Sequence, residues 1–392
     1  MSSGWLVWVG LVFCLIVLAE LARLNFLLYL AFKNEIKLPN LAHHRTGARG
    51  PRVTVIVPAK DEESHIERTA KSILDSEYAD MDLILIDDRS SDRTGEIIRS
   101  VAKEDPRVRV MSVKDLPSGW TGKTHAMFHA AATTSSDILL FTDADAVLEK
   151  DVISKAVNFM VDRNLDMLSL LPGFTQRGFL ENAVHLHLGL GLSSFYSLTD
   201  VNDATRESAL ASGCFIMIRR EAYQAVGTWR EFKEQVTEDI ALSKAVKRNG
   251  LRLNVLRGEN MVTTKPFESF SELAGFWKRT FYGGLEKNIP RMTRLCLNFL
   301  TLIVLFGIFV YSALVLASET SEMIHIALFV ISCAGMAAVM ISYGIVVKKE
   351  HGSALYGLSA PLGLFLGAWI AISTFLMVWT DQGIQWRGSV YK

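Results

Sequence analysis

The segment Ile138-Leu139-Leu140-Phe141-Thr142-Asp143-Ala144-Asp145 joins an apolar run to a pair of carboxylates. Its first four residues have the composition of a buried β-strand. Residues two apart in an extended chain point to the same face, so Asp143 and Asp145 project together from the carboxyl end of that strand. In an open α/β sheet this is the end where ligands bind. Two adjacent oxygen donors suit Mg²⁺ or Mn²⁺ holding a diphosphate, although Asp-x-Asp pairs also occur in ordinary loops.

Apolar residues are concentrated at the two ends of the chain. The 392 residues are 50% hydrophobic with a formal net charge of zero, so there is no basic stripe of the kind that binds nucleic acid. The middle, residues 51–290, has the composition of a soluble domain large enough for its own core. Cys14, Cys214, Cys296 and Cys333 show neither metal-ligand nor CxxC spacing, so no disulfide framework or zinc site is predicted.

Both ends are predicted to lie in a membrane. Residues 1–33 are predicted to form an anchor, because Gly4 to Phe32 is apolar apart from Glu20 and Arg23, which are spaced to pair on a helix. Three later runs lack Asp, Glu, Lys and Arg and are long enough to cross about 30 Å of hydrocarbon. These runs are Leu295–Ala317, Met323–Val347 and Ser353–Thr380. We therefore predict transmembrane helices within 295–380, followed by a tail at 381–392.

The distribution of Lys and Arg predicts a cytoplasmic middle domain in a multi-pass protein of the plasma membrane. Between Lys33 and Arg52 there are five basic residues and one acidic residue. Ser318–Glu322, by contrast, carries only acidic charge, and Lys348-Lys349 follow the next span. Four complete crossings would place the tail outside, unless Pro361 and nearby glycines make the last segment re-entrant.

The middle domain alternates strand and helix patterns, which predicts an α/β fold with parallel strands and crossover helices. The predicted strands are Val53–Val57, ending at Pro58, then Leu83–Ile86, Val108–Met111 and Ile138–Phe141. The predicted helices are Glu62–Leu74, Thr94–Ala102, Gly122–Ala132 and, later, Ile240–Lys247, which is terminated by Asn249-Gly250.

Three of the four strands end in acidic residues. These are Asp61, Asp87 with Asp88, and Asp143 with Asp145. Carboxylates repeated along one sheet edge indicate a nucleotide site, with some acids addressing base and ribose and others a metal. Neither G-x-G-x-x-G nor G-x-x-x-x-G-K-[ST] occurs, which disfavours dinucleotide binding and P-loop hydrolysis.

Lys123 lies in the first turn of a predicted helix whose N-cap is Thr121. A cation beside helix-start amides is suited to a phosphate, whereas a solvated first-turn lysine is the alternative. His125 and His129 share a face of that helix, but no third ligand accompanies them, so no metal site is predicted there.

Two later segments leave their roles open. Asn182–Leu198 is nearly all apolar and is interpreted either as a wall of an acceptor site at the membrane surface or as an ordinary core helix. Gly213 and Cys214 lie in a small-residue turn that allows close backbone approach to a ligand. For Thr237-Glu238-Asp239, an N-cap with acids in the first turn is a sufficient structural explanation.

Taken together in order, these motifs resemble the family 2 glycosyltransferases, GT-A fold enzymes that use nucleotide-sugar donors. The matching stretches are Pro58-Ala59-Lys60-Asp61-Glu62-Glu63, Asp87-Asp88-Arg89-Ser90-Ser91-Asp92, Gly122-Lys123, Asp143-Ala144-Asp145, Gly213-Cys214-Phe215 and Thr237-Glu238-Asp239. The membrane layout is similar to that of lipid-acceptor members such as ceramide, carotenoid and hopanoid glycosyltransferases. A tail of the form Trp386-Arg387-Gly388…Tyr391 also occurs among such relatives, although Ser389 stands where a second arginine is expected.

The resemblance implies a role for each matching residue. On the donor side, it implies that Ala59, Glu62 and Asp88 contact the uridine and that Pro58 belongs to the donor-binding site. Lys123 would meet the diphosphate, and Asp145 with Asp143 would hold Mg²⁺ or Mn²⁺. Asp239 would be the general base. Gly213, Cys214 and Glu238 would lie on the acceptor or diphosphate side.

The chain departs from the family pattern at two places. The family often has Asn where this chain has Asp61. Processive members carry Gln-x-x-Arg-Trp after the catalytic acid, and the equivalent stretch here, Phe276–Asn288, lacks it. Several residues of that stretch could contact the diphosphate or lipid headgroups, or could merely flank the membrane. These residues are Trp277, Lys278, Arg279 and Lys287.

The sequence therefore predicts an integral-membrane, metal-dependent, inverting hexosyltransferase that moves one sugar from a UDP-sugar to a membrane lipid. A processive polysaccharide synthase and a polyprenyl-phosphate sugar transferase are the enzyme alternatives. A membrane scaffold with a degenerate sugar-binding domain is the non-enzyme alternative, and it would be expected to have lost Asp143, Asp145 or Asp239.

Overall fold

The computed structural model describes residues 4–33, 38, 50–318, 322–350, 352–386 and 389–391. The helices in these residues are α1 (Gly4–Lys33), α2 (Ile66–Leu74), α3 (Thr94–Glu104), α4 (Gly122–Ala132), α5 (Val152–Asp162), α6 (Leu186–Ser193), α7 (Leu198–Asn202), α8 (Arg220–Ala225), α9 (Thr228–Glu231), α10 (Glu238–Arg248), α11 (Phe270–Gly284), α12 (Ile289–Leu316), α13 (Met323–Lys349) and α14 (Ala360–Trp379). A π-helical turn, Glu181–His185, precedes α6, and a 3₁₀-helix, Ala354–Ser359, precedes α14. The strands are β1 (Val53–Ala59), β2 (Met81–Asp88), β3 (Val108–Val113), β4 (Ile138–Phe141), β5 (Val147–Leu148), β6 (Met167–Leu171), β7 (Gly173–Phe174), β8 (Ile216–Arg219), β9 (Leu253–Arg257), β10 (Val262–Thr264), β11 (Ile384–Trp386) and β12 (Ser389–Tyr391).

The described residues divide into two compact units. The α/β unit comprises the described parts of Glu35–Gln176 and Tyr196–Pro266. The helical unit comprises those of Met1–Asn34, Arg177–Phe195 and Phe267–Lys392. The catalytic domain predicted from the sequence, residues 51–290, includes two parts of the helical unit, namely Arg177–Phe195 and the start of Phe267–Lys392. The predicted boundary at residue 290 remains a prediction.

A seven-stranded mixed sheet forms the centre of the α/β unit, with strand order β3-β2-β1-β4-β8-β6-β9. The first four strands in that order are parallel to one another, as predicted from the alternating pattern. Strand β8 runs antiparallel to both β4 and β6, while β6 and β9 are parallel. The α/β class is therefore confirmed, and the carboxyl ends of β1, β2 and β4 meet at one edge of the sheet.

Both faces of this sheet are covered. Leu83, Ile84, Leu85 and Ile86 are consecutive residues of β2, and each has 0% exposure. A continuous apolar run, rather than an alternating one, is what a strand buried on both faces requires. The same consideration explains Ile138–Phe141, in which all four residues are buried.

Two predicted boundaries near the sheet edge are wrong. Strand β1 continues through Pro58 to Ala59, where Pro58 is paired with Ile86 of β2. Proline is accommodated because the pairing of β1 with β4 has already ended at Ile56. Helix α2 begins at Ile66 rather than Glu62, since the backbone at Asp61 has a positive φ of 55° and the next residues form a turn.

Other predicted boundaries need smaller changes. Helix α4 and strand β4 have the predicted bounds, whereas β2, β3, α3 and α10 each extend beyond them. Their additional terminal residues are mostly polar, and such residues give no apolar signal in the sequence. Gly250 follows α10 with φ +71°, the left-handed conformation expected of a helix-ending glycine.

The helical unit contains three helices that are long and apolar enough to cross a membrane, which confirms that the three predicted C-terminal runs form apolar helices. They are Ile289–Leu316, Met323–Lys349 and Ala354–Trp379. The last includes the 3₁₀-helix and then α14, which is continuous through its 20 residues. In α1, Arg23 Nε donates to Glu20 Oε2 at 2.8 Å, as the spacing predicts. That α1 anchors the chain in a membrane remains a prediction.

Candidate active site

The edge formed by the carboxyl ends of β1, β2 and β4 carries the acids that the sequence singled out. Ala59 at the end of β1 is paired with Asp87 of β2, so the loops that follow these strands start side by side. Ile56 is paired with Phe141, the last residue of β4, and Asp143 follows two residues later. The predicted convergence of carboxylates at one sheet edge is therefore present.

The loops after β1 and β2 are held together by hydrogen bonds. Asp61 Oδ1 accepts from the backbone N–H and the hydroxyl of Ser91, at 2.7 and 3.0 Å. The Glu62 N–H donates to Thr94 Oγ1 at 2.8 Å. Two more hydrogen bonds connect the loops. The Glu63 N–H donates to Asp92 Oδ2, and the Arg93 N–H donates to Glu63 Oε2, both at 3.0 Å. Sequence reasoning missed this function of Asp61 and Asp92, although Asp and Ser in the turns after two neighbouring strands would have indicated it.

Asp88 is buried where β2 meets the start of α4. Its carboxylate accepts from Arg89 Nε at 2.8 Å and from Arg89 Nη2 at 3.0 Å. A side chain at Gly122 would collide with this carboxylate, so the first residue of α4 needs to be glycine. Of the other predicted donor contacts, Pro58 and Ala59 end β1, and Ala59 is buried.

Lys123 joins two acidic segments. Thr121 Oγ1 accepts from the Thr124 N–H at 3.2 Å, which confirms the predicted N-cap of α4. In the first turn of the helix, Lys123 Nζ lies 2.7 Å from Asp143 Oδ1 and 2.7 Å from Glu238 Oε1. The Lys123 side chain is 19% exposed, so the alternative of a solvated lysine does not fit.

Asp239, the predicted base, is fixed through both carboxylate oxygens. Oδ2 accepts from the Gly213 N–H at 3.0 Å, and Oδ1 accepts from the Ile240 N–H at 2.8 Å. Helix α10 begins at Glu238, and the side chain of its N-cap, Thr237, accepts no capping hydrogen bond. The structural explanation of Thr237-Glu238-Asp239 is therefore wrong in one respect, because Asp239 satisfies the Ile240 amide of the first turn.

Gly213 and Cys214 lie against the Lys123–Asp143 pair. A Cβ at Gly213 would be 2.7 Å from Lys123 Nζ and 3.4 Å from Asp143 Oδ2. The Cys214 thiol lies 3.5 Å from Asp143 Oδ2, and Thr142 Oγ1 donates to the Cys214 carbonyl at 2.6 Å. The predicted close backbone approach is thus to the charged side chains of this cluster.

Burial and like charge shift the proton affinity of the base. Burial, followed by the charge of the neighbouring Glu238 carboxylate, raises the pKa of Asp239 to about 7, and Lys123 opposes the rise. For Lys123, burial alone would lower the pKa, but the three carboxylates around it, those of Asp143, Glu238 and Asp239, raise it well above its usual value. Lys123 is therefore a permanent cation, whereas Asp239 can exchange a proton near neutral pH.

The Asp143–Asp145 pair is suited to a divalent cation. Burial, followed by the charges of Asp143 and Glu62, raises the pKa of Asp145 to about 6. Thr264 Oγ1 lies 3.4 Å from Asp145 Oδ2. Crowded carboxylate oxygens are the donor set that Mg²⁺ and Mn²⁺ prefer, and a bound cation would relieve their repulsion. Among the described residues, no group of three or more His, Cys, Asp and Glu side chains is arranged around a common metal position.

The two histidines of α4 form a pair with each other. His125 Nε2 lies 3.0 Å from His129 Nε2. The ring of His125 also packs edge-on against Trp120, with centroids 5.3 Å apart.

Four further predicted site residues belong to the helical unit. Trp277 on α11 is 3% exposed, and its Nε1–H donates to His185 Nδ1 at 3.2 Å. Lys278 Nζ lies 4.6 Å from the centroid of the Trp369 ring, and Lys287 Nζ lies 5.3 Å from that of Tyr282. Arg279 is on α11 beside Lys278. Their predicted contacts with diphosphate or lipid remain predictions.

The segment Asn182–Leu198 forms the end of the π-helical turn, α6 and the first residue of α7. Asn182, Ala183, Val184 and His187 are buried, and Tyr343 Oη donates to the Asn182 carbonyl at 2.6 Å. These contacts favour the core-helix interpretation for its first half. Its role as an acceptor wall remains a prediction.

Comparison with known proteins yields a family, curated relatives and a fold. Residues 54–227 match the family described as Glycosyl transferase family 2. The 4,4'-diaponeurosporenoate glycosyltransferase of Staphylococcus aureus (strain USA300) is 26% identical over 247 residues, which are 61% of this chain and 63% of that protein. The enzyme of the same name from Staphylococcus haemolyticus (strain JCSC1435) is 25% identical over 257 residues, covering 64% of this chain and 66% of that one. The alignments thus span just under two thirds of the length of these relatives.

Among solved structures, the mannosyltransferase PcManGT from Pyrobaculum calidifontis, in complex with GDP-Man and Mn²⁺, aligns with a TM-score of 0.52 at 18% identity. The alignment covers 95% of this chain and 99% of that one. This similarity, together with the mixed sheet and the three apolar helices, confirms the predicted GT-A fold. Residues 54–227 are thus similar to a glycosyl transferase family 2 domain, and the matched stretch includes Lys123 on α4 and Asp143 and Asp145 after β4.

Proposed function

We propose that this chain is a membrane-bound inverting glycosyltransferase that moves one sugar from a UDP-sugar to a lipid acceptor. The observation that carries the proposal is the geometry around Lys123, which lies in the stretch matched to the family, and Asp239, which follows that stretch in the chain. Lys123 contacts both Asp143 and Glu238, and Asp239 follows Glu238 at the start of α10. The ammonium group of Lys123 thereby connects Asp143, on the proposed donor side, to the start of the helix that carries the proposed base, Asp239.

Asp239 is the proposed general base. An inverting transfer needs a carboxylate that takes the proton of the acceptor as the anomeric carbon is attacked from the face opposite the leaving group. Gly213 and Ile240 donate to its two oxygens and fix the carboxylate plane. With its pKa raised to about 7, Asp239 is a stronger base than an ordinary aspartate and is still ionised in a large share of molecules at neutral pH.

The proposed donor site lies along the ends of β1, β2 and β4. Glu62 and Asp88 would address the nucleoside, and Asp143 with Asp145 would hold Mg²⁺ or Mn²⁺. The cation would neutralise charge that builds up on the departing diphosphate. Lys123 supplies a permanent positive charge next to Asp143 for the same purpose, and two of its three N–H donors are directed to Asp143 and Glu238.

The acceptor is proposed to be a lipid. The helical unit contains three helices able to span a membrane, so the domain is held where lipids diffuse in two dimensions. The curated relatives are named for glycosyl transfer to 4,4'-diaponeurosporenoate, a name that denotes a carboxylate. We therefore propose an apolar acceptor that presents a hydroxyl or carboxyl group at the cytoplasmic leaflet of the plasma membrane.

The proposed orientation follows from charge. Lys348 and Lys349 end α13, and Arg291 and Arg294 lie in the first turns of α12, so these two ends are proposed to be cytoplasmic. The connection between the helices contains Glu319 and Glu322 and is proposed to be outside. Residues 319–321 of that link lie outside the described residues, as do residues 39–49 of the basic stretch after α1 and Arg387 and Gly388 of the tail.

The experiment that tests the proposal is transfer of labelled sugar into the organic-extractable fraction of host membranes that contain the full chain. A panel of UDP-sugars is supplied with Mg²⁺ or Mn²⁺ and, in parallel, with a chelator. GDP-mannose is added to the panel because the structural relative was solved with GDP-Man. We expect label in the lipid phase that is lost with the chelator.

Other outcomes would replace the proposal. Label confined to insoluble high-mass material would indicate a processive synthase. Acid-labile label on a polyprenyl phosphate would indicate a polyprenyl-phosphate transferase. No transfer from any donor, with or without metal, would contradict the proposed activity.

A further inference from the structure

A lysine near the C-terminal end of α10 is surrounded by backbone carbonyl groups. Lys247 Nζ lies 2.8 Å from Val201 O, 2.8 Å from Ser208 O, 2.9 Å from Asp203 O and 3.2 Å from Asp200 O. Four acceptors face three N–H donors, so at least one N–H is shared. A surface lysine normally keeps its ammonium hydrated, whereas here carbonyl oxygens take the place of water.

These carbonyls belong to a turn that leads away from α7. Those of Asp200 and Val201 lie in the last turn of α7, where carbonyl groups lack helical partners and a cation is favourable. Within the turn, Asp203 Oδ1 accepts from the Thr205 N–H at 2.9 Å and from Thr205 Oγ1 at 2.7 Å. Lys247 therefore binds carbonyl groups at both ends of a compact turn that runs from Asp200 to Ser208.

The chain that leaves this turn reaches the candidate active site within five residues. The Ser212 N–H donates to Ser169 Oγ at 2.9 Å, and the next residue, Gly213, donates its N–H to Asp239 Oδ2 at 3.0 Å. Residues 200–213, called here the α10-bound segment, are thus attached near both ends of one helix. Lys247 holds the beginning of the segment, and Asp239 in the first turn of α10 holds its end.

We infer that Lys247 is a positioning residue that keeps the α10-bound segment on α10 and so keeps the Gly213 N–H on Asp239. The inference rests on the proposed function in so far as Asp239 is the base. Without the ammonium, four carbonyls lose a charged donor, and the acidic side chains of Asp200 and Asp203 remain beside them. The part of the turn between Asp203 and Ser208 would then open locally, whereas Asn202 stays bonded to the backbone of Val255 in β9 through its side-chain amide.

Limited proteolysis of the full chain in nanodiscs tests this attachment without any substrate. The Arg206 side chain is 66% exposed and lies in the turn, so trypsin cleavage after Arg206 reports opening of the segment. We expect Lys247→Met to be cut there about tenfold faster than the wild type, because charged hydrogen bonds are lost. Arg248→Met is the matched control, since it removes the adjacent positive charge of α10 from an exposed position; we expect its cleavage rate to be unchanged.

Transfer kinetics test whether the attachment serves catalysis. In Lys247→Met we expect kcat to fall about tenfold while the donor KM stays within about twofold, because the nucleotide loops after β1 and β2 are held by other bonds. Should Lys247→Met fail to accumulate, Lys247→Gln is the second variant. Its amide donates two of the lost hydrogen bonds, so we expect cleavage between the rates of wild type and an opened turn.

The two readouts separate this inference from the proposed function. Wild-type cleavage rates after Arg206 in both Lys247 variants would overturn the inference, whether or not the protein transfers sugar. Accelerated cleavage with unchanged kcat would overturn the link to Asp239. Accelerated cleavage in Lys247→Met, together with a wild type that transfers no sugar, would support the attachment and contradict the proposed function alone.

Discussion

Two parts of the same sheet edge use carboxylates in opposite ways. After β1 and β2, Asp61 and Asp92 each accept a hydrogen bond from a backbone N–H of the neighbouring loop, so each carboxylate holds that loop in place. After β4 and at the start of α10, Asp143 and Glu238 instead share the ammonium of Lys123. The first group of acids accepts hydrogen bonds from neutral amides, and the second is concentrated around a single cation.

This difference indicates which acids are available for chemistry. A carboxylate that is satisfied by amide donors near the surface changes little when a substrate arrives. A buried carboxylate beside others has a raised pKa, as Asp145 and Asp239 do, and responds strongly to a proton, a cation or a ligand. The sheet edge therefore combines a rigid nucleotide side with an electrostatically responsive catalytic side.

Replacing the proposed base should have the largest effect on the catalytic side. Asp239→Asn keeps the size of the side chain but cannot accept a proton, so we expect the transfer rate to fall by about a thousandfold or more. Binding of UDP with Mn²⁺, measured by calorimetry, should remain within about twofold, because the nucleotide side is untouched. Asp151→Asn, at the N-cap of α5 where the carboxylate pairs with Lys155, is the control and should transfer sugar at the wild-type rate. Near-normal turnover of Asp239→Asn would contradict the assignment of Asp239 as the base, and with it the distinction between a nucleotide side and a catalytic side of the sheet edge.

A pair of glycine variants separates crowding of the catalytic side from general strain. In Gly213→Ala, the new Cβ would lie 2.7 Å from Lys123 Nζ, so the ammonium must move away from Asp143 or Glu238. We expect transfer to fall about tenfold to a hundredfold. Gly250→Ala adds a Cβ that meets nothing within 4 Å but has a φ of +71°. It should lower the free energy of unfolding by about 1 kcal/mol with transfer retained. Equal losses of activity in both variants would contradict a specific role for Gly213.

The pH dependence of kcat/KM tests whether the two acids of α10 are coupled. Because Asp239 must be ionised to accept a proton, the rate should rise with pH through about 7, the raised pKa of this group. Glu238 carries a negative charge that raises this pKa, so Glu238→Gln should lower it and move the acidic limb to lower pH by about half a unit to one unit. Initial rates between pH 5.5 and 8.5, at about 0.15 M salt, would measure the shift. A limb that moves to higher pH, or does not move, would contradict the coupling.

The smallest effect is expected on the nucleotide side. Asp61→Ala removes the acceptor of the two Ser91 hydrogen bonds, so the donor KM should rise about threefold to tenfold while kcat stays unchanged. Asp61→Asn should remain close to the wild type, because its amide oxygen can accept the same bonds and Asn tolerates the positive φ of 55°. A large fall in kcat for either variant would show that the two sides are not separable in this way.

The fold was predictable because its signal lies in runs of several residues. Ile138–Phe141 and Gly122–Ala132 have the bounds that composition and capping predict, and the three C-terminal apolar runs are present as helices. The end of β1 was not predictable in the same way. Pro58 remains in the strand because the pairing of β1 with β4 ends two residues earlier, at Ile56, and that information lies in the pairing of strands rather than in the local sequence.

The candidate site was predictable as a set of residues but not as a set of contacts. Strand ends and family motifs identify Asp143, Lys123 and Asp239. They do not reveal that Lys123 connects Asp143 to Glu238, because these residues are separated by up to 115 positions and meet only through β4, α4 and α10. Lys247 was not predictable at all, since its acceptors are backbone carbonyl groups and any residue type can supply those.

The anomeric configuration of the product tests most directly whether Asp239 acts as the base of a single displacement. The lipid product from a labelled α-linked UDP-sugar would be purified, and the coupling between its H1 and H2 atoms measured by NMR. The account predicts a β-linked sugar, because attack opposite the leaving diphosphate inverts the anomeric carbon. An α-linked product would contradict a one-step transfer with Asp239 as its base.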